Sequence, residues 1–190
     1  MVDFGNVFKT NGDAKSAETE FSKALKLLTP NETQITQTAN AFISYGELDF
    51  AVQTYLTGQQ LYRTNYAFAY SLAELYERKG DMTKAIQSYL DYVSLNANNM
   101  QAVQNRLQES LFKPAVFEVF KNELLERIQS NNAPMVYSDL LIWAFIQRKD
   151  FKSAFIQTKA IDKRLNENGW RVMNLARSAV AEKKYDAAID

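Results

Sequence analysis

Apolar residues recur along this chain at two intervals at once. The short interval is helical. Phe68, Leu72, Leu75 and Tyr76 fall at i, i+4, i+7 and i+8, and Met82, Ala85, Ile86, Tyr89 and Val93 continue the pattern. Such spacing places the apolar side chains on one stripe of an α-helix. Gly80 and Asp81 stand between the two stripes. Glycine ends a helix readily because it enters the left-handed region without a Cβ penalty. Aspartate then suits the N-cap of the next helix, its carboxylate accepting from an orphan backbone N–H. The pattern predicts a helix over residues 66–78, a turn, and a second helix from 82, with a polar break at Asn96–Asn99.

The long interval repeats this unit. Ala14, Leu48, Met82, Phe117, Phe151 and Tyr185 are separated by 34, 34, 35, 34 and 34 residues. Ala17, Ala51, Ala85, Phe120, Ala154 and Ala188 shadow them, and Gly12, Gly46 and Gly80 mark the turns of the first three units. A fixed period of this size marks stacked supersecondary units. The implied units are 1–31, 32–65, 66–99, 100–134, 135–168 and 169–190, with chain reversals at Gly12, Gly46, Gly80, Pro114, Lys149 and Lys183. Further helices are predicted over 13–28, 33–45, 49–62 and 170–181. The fourth unit departs from the rest, with one extra residue and Pro114 in place of glycine. Proline is tolerated there as the first residue of a helix.

These residues resemble the tetratricopeptide repeat. The third unit matches its consensus with Leu72, Ala73, Tyr76, Gly80, Met82, Ala85 and Tyr89; the second with Ala39, Phe42, Gly46, Leu48, Ala51 and Tyr55; the first with Phe4, Gly5, Phe8, Gly12, Ala17, Phe21 and Ala24. The fourth fits poorly, because Leu107 and Phe120 replace small residues that let helices approach. The resemblance spans the chain. It implies an all-α fold, a right-handed superhelical solenoid of antiparallel helix pairs with about five to six repeats. In that frame Met1 and Asp190 both fall inside a helix, so the chain reads as a segment of a longer array, cut at both ends.

Composition narrows the function. Forty-six per cent apolar residues, including 12 Phe and 10 Tyr, suffice for continuous burial. Cys and His are absent, which removes thiol nucleophiles, disulfides and the commonest zinc ligands. Net charge is zero, which speaks against a nucleic-acid binder. The first 147 residues hold 12 basic and 16 acidic groups, whereas the remainder holds 10 and 6. Leu140 to Ile146 is the longest apolar run and is too short to span a membrane. Lys152, Lys159 and Lys163 read as a solvated helix face, and Glu74, Glu77 and Glu109 as solubilising charges. No phosphate loop, serine elbow or metal-spaced ligand set is found, so no catalytic, metal or cofactor site is expected.

The resemblance also implies where a partner would lie, because in this family the first helix of each pair lines a concave groove. The corresponding residues include Asn6, Asn40, Tyr70 and Glu74, and then Trp143, Ile146, Trp170, Met173 and Arg177. The family's clamp for a peptide carboxylate is not reproduced: Asn6 fits it, but Val2, Gln37, Ala67 and Ser71 do not. Exposed aromatic and Met residues beside one Arg are typical of interaction hot spots. Aromatic stripes at helical spacing are more often core, however, so packing between helices or against downstream repeats is the stronger expectation for these residues. The expectation is a non-catalytic scaffold for a protein or peptide. The alternative is the regulatory or substrate-binding arm of a larger enzyme or signalling protein. A cut last helix would leave the Trp170–Ala181 face available for self-association. The sequence fits either the cytoplasm or a bacterial periplasm.

Overall fold

A computed structural model describes residues 1–130 and 132–181, with the side chain of Ser178 excepted. The described residues form eleven α-helices and two short 3-10 turns, and no strand. They fall into two compact units, Met1–Tyr92 and Val93–Asp190, the division lying within the sixth helix.

In the first unit the helices are α1 (Val2–Thr10), α2 (Ala14–Lys26), α3 (Glu32–Ser44), α4 (Leu48–Tyr62), α5 (Ala69–Arg78) and the greater part of α6 (Met82–Leu95). They pair in sequence order, α1 with α2 and α3 with α4, and α1 and α2 then meet α3 and α4 respectively. Phe21, Phe42 and Phe50 form the joint between these pairs, with ring centroids 5.0–5.3 Å apart. Gly5 makes room for it, since a Cβ there would lie 2.4 Å from the Phe21 ring.

The predicted reversals share one hydrogen-bond pattern. Asp13, Glu47, Asp81 and Asp150 each donate a backbone N–H to the carbonyl five residues earlier, each at 2.9 Å. The residue before each one donates to the carbonyl three positions back. This is the Schellman closure, which requires a left-handed residue. Gly12, Gly46 and Gly80 supply φ of +84°, +76° and +78°; in the fifth unit Lys149 adopts φ +57° without being glycine. Asp13, Asp81 and Asp150 also cap the following helix through Ser16, Lys84 and Ser153 N–H at 3.0–3.1 Å. Lys183 lies outside the described residues.

The two repeating apolar tracks play different parts. Ala17, Ala51, Ala85, Phe120 and Ala154 are all at most 2% exposed and mark the contact line between helices. Ala14, Leu48, Met82 and Phe151 are instead the first residues of their helices, and Ala14 is exposed. Tyr185 and Ala188 lie outside the described residues.

Phe68 departs from the sequence pattern. The spacing places it in a helical stripe, but α5 starts at Ala69 and Phe68 precedes it with φ +58°. Its ring stacks on Tyr55 at 5.2 Å and lies against Gly58, where a Cβ would come within 2.7 Å of it.

In the second unit α7 (Met100–Leu107) is short, and a 3-10 turn at Ser110–Phe112 leads to α8 (Pro114–Ile128). Pro114 is the first residue of α8, as the sequence predicts. Without a glycine reversal the connector needs another partner for its carbonyls. Arg148 supplies it, donating to Leu111 O at 3.1 Å and Phe112 O at 3.3 Å while its guanidinium lies 4.7 Å from the Phe117 ring centre. α9 (Met135–Gln147), α10 (Phe151–Leu165) and α11 (Trp170–Ala181) complete the described part. α9 buries seven residues, which spread over rather more than half of its circumference, a wider buried face than a single stripe.

Candidate interaction groove

α9 is the first helix of the pair that α10 completes, and α10 packs against both α9 and α11. The loop between α10 and α11 sets how α11 begins. Asn166, Asn168 and Gly169 all take positive φ, which short polar side chains and glycine tolerate. Asp162 holds the loop closed by accepting the Gly169 N–H at 2.8 Å.

An open cleft of about 260 Å³ lies between these helices. Ile142 and Ile146 of α9 and Trp170 and Leu175 of α11 supply its apolar lining, with Thr158 of α10 and the Asp139–Arg171 pair as polar neighbours. The polar groups already have partners. The Thr158 hydroxyl donates to Ala154 O at 2.8 Å. Arg171 donates to Glu167 at 2.5 Å and to Asp139 at 3.0 Å. Its guanidinium is held further on the protonated side than usual by the Glu167 bond first, and by the Asp139 charge. The cleft therefore offers apolar surface with a neutralised polar wall. It suits the burial of a side chain better than bond-making chemistry.

The structure brings together some of the sequence candidates and separates others. Ile146 and Trp170 share the cleft. Trp143 does not line it; its ring meets Phe120 edge-on at 6.5 Å. Met173 and Arg177 are exposed on a neighbouring face of α11. Arg171, Ile142 and Leu175 line the cleft and were not singled out by sequence. The only sequence signal for Arg171 is its i, i+4 spacing from Glu167.

The remaining candidates lie in the first unit. Asn6 is half-buried on α1 and Asn40 is exposed on α3. Tyr70 is half-buried, with its ring 5.0 Å from that of Tyr92 and 5.7 Å from that of Tyr89. Glu74 is half-buried one turn further along α5. The nearby Tyr55 phenol is pushed up chiefly by burial; a Ser71 hydrogen bond works against this and the Glu74 charge adds to it. Tyr55 thus stays protonated and neutral. Among the described residues no group of three or more His, Cys, Asp or Glu could hold a metal, and no helix is long and apolar enough to cross a membrane.

Residues 66–99 match the tetratricopeptide repeat model. They coincide with the α5–α6 pair and its Gly80 turn. The match identifies one tetratricopeptide repeat in the chain, the α5–α6 pair. Such repeats generally mediate protein–protein interaction, and their fold is typically a non-catalytic scaffold. The chain is also similar to the mouse (Mus musculus) E3 ubiquitin-protein ligase LRSAM1, at 26% identity over 106 residues, or 55% of this chain. It spans only 14% of that ligase's length. A crystal structure of a tetratricopeptide repeat protein from Parabacteroides merdae aligns with 99% of this chain and 74% of its own, at a TM-score of 0.42 and 15% identity.

Proposed function

We propose that this chain is an array of tetratricopeptide-like repeats that acts as a non-catalytic scaffold and holds a peptide or an extended segment of a partner protein. The observation that carries this is the second unit's open apolar cleft, with Trp170 68% exposed at its edge. Aromatic surface left in water beside a cleft is what a partner can bury. The helices that frame it are packed, so ordering the seat costs little at the moment of binding.

The test is a selection from a random peptide library displayed on phage, with the folded chain as bait and the heat-unfolded chain as counter-selection. A recurring sequence family specific to the folded chain is the expected result. If none is enriched, the scaffold reading fails.

A second reading takes the chain as the substrate-holding arm of a larger enzyme. The similarity to a stretch of a mouse ubiquitin ligase favours it. Under that reading the selected peptides would match segments of proteins that the complete enzyme modifies. Blocking the cleft would then lower modification of those proteins while leaving enzyme turnover on a generic acceptor unchanged.

A further inference from the structure

Resting on the scaffold reading, we infer that the seat is the exposed stripe of α11 together with the adjoining cleft. Its occupant is an acidic peptide whose carboxylate is flanked by bulky apolar side chains.

Trp170, Met173, Arg177 and Val180 fall at i, i+3, i+7 and i+10, so they form one stripe along α11. Trp170, Met173 and Val180 are 68%, 56% and 48% exposed, while Leu175 and Ala179 anchor the other face at 5% and 0%. Trp170 belongs to both the stripe and the cleft, which makes the two surfaces continuous. A ligand lying along α11 can therefore place one side chain in the cleft while its backbone follows the stripe.

The charge pattern selects the ligand. Arg177 is exposed and, among the described residues, has no ion-pair partner, whereas Arg171 on the same helix has two. Met173 and Val180 flank Arg177 one turn away on each side. A ligand covering those apolar neighbours strips water from the guanidinium, which is costly unless an anion replaces the water. A carboxylate matches the planar guanidinium fork with two hydrogen bonds. The net charge of this stretch points the same way: residues 151–181 carry six Lys and Arg against two Asp and Glu, and the cleft's own Asp139 is already paired with Arg171. A basic peptide with the same apolar side chains would meet repulsion instead.

The experiment extends the phage selection to the chain with Arg177→Glu. A synthetic peptide from the dominant family, and its Glu/Asp→Lys twin, are then measured by fluorescence anisotropy. Lys152→Glu makes the same charge change on an exposed position of α10 and serves as control. Circular dichroism establishes that each variant is folded. The inference expects enriched peptides that pair an acidic residue with bulky apolar residues. It also expects about a tenfold or greater loss of affinity with Arg177→Glu, little change with Lys152→Glu, and partial recovery of the Lys twin on the Arg177→Glu chain. Enrichment of peptides without acidic residues, or binding indifferent to Arg177→Glu, overturns this inference and leaves the scaffold reading standing. Equal losses with Arg177→Glu and Lys152→Glu also overturn it, since they reflect net charge rather than a seat. An empty selection overturns both.

Discussion

Replacing Gly58 by alanine tests how tightly the first unit is built. Two effects oppose each other. Gly58 lies inside α4, where alanine is favoured over glycine by about 1 kcal/mol. The added methyl, however, would lie 2.7 Å from Phe68 Cε2 and 3.1 Å from Ile35 Cγ2. Ile35 is fully buried and has no room to yield. The Phe68 ring is hemmed in by Tyr55 at 5.2 Å and Tyr62 at 6.0 Å, and its backbone already has positive φ. Overpacking of this kind costs roughly 1–3 kcal/mol. The expected outcome is net destabilisation of up to about 2 kcal/mol, opposite in sign to the propensity effect. A Phe68→Gly background separates the terms. It removes the ring and suits the left-handed backbone, so Gly58→Ala should now cost less, with only the Ile35 Cγ2 contact left to oppose the propensity gain. Coupling of about 1–3 kcal/mol is expected for residues in such contact. Both tryptophans lie in the second unit, so their fluorescence does not report on this region directly. Amide exchange of α4 and α5 under mild denaturant is the appropriate readout. If Gly58→Ala stabilises the parent protein, or has the same effect in both backgrounds, the packing account is refuted.

Three further perturbations address separate parts of the fold. Gly80 has φ +78° with nothing within 4 Å of a built Cβ, so Gly80→Ala should cost about 1 kcal/mol through the backbone alone; Lys149→Gly should act in the opposite direction, and denaturant midpoints read both. Arg148→Met removes the donor from the Leu111 and Phe112 carbonyls and should destabilise the second unit by roughly 1–3 kcal/mol, read by tryptophan fluorescence during urea unfolding. Asp81 is held below its ordinary value of 3.8, chiefly by the Lys84 backbone N–H, so its charge favours folding above the unfolded value and that contribution is lost as pH falls through the lower folded value; Asp81→Asn should therefore flatten this part of the acid limb in amide-exchange titrations.

The turns were legible because their causes are local. A glycine followed by an acidic residue is readable without knowing what lies across the chain, and Gly12, Gly46 and Gly80 all take the left-handed conformation there. Lys149 shows the limit: it takes the same conformation with no glycine, and only the repeat interval indicated it. Periodicity misplaced Phe68, since the hollow above Gly58 that receives its ring comes from another helix. It also could not tell which apolar track is core. Ala14, Leu48 and Met82 keep the interval because they begin helices, whereas Ala17, Ala51 and Ala85 keep it because helices touch there. In the fourth unit a residue 34 positions beyond Pro114 closes the connector, a partnership no spacing rule anticipates.

The same distinction applies to the candidate groove. Trp143 and Trp170 are the same residue type on two helices that both pack against α10, yet one leans on Phe120 and the other is open to solvent. Likewise Arg171 and Arg177 stand six residues apart on α11, and only the first meets Asp139 and Glu167. What separates the members of each pair is the neighbouring helix, which a single stripe of sequence does not contain. The repeat constrains the residues that turn the chain and bring helices together, and those are nearly the same from unit to unit. It leaves the outward positions free to differ. Recognition should therefore be sought where the second unit departs from the common pattern, on the Trp170–Val180 stripe, rather than at the positions the units share.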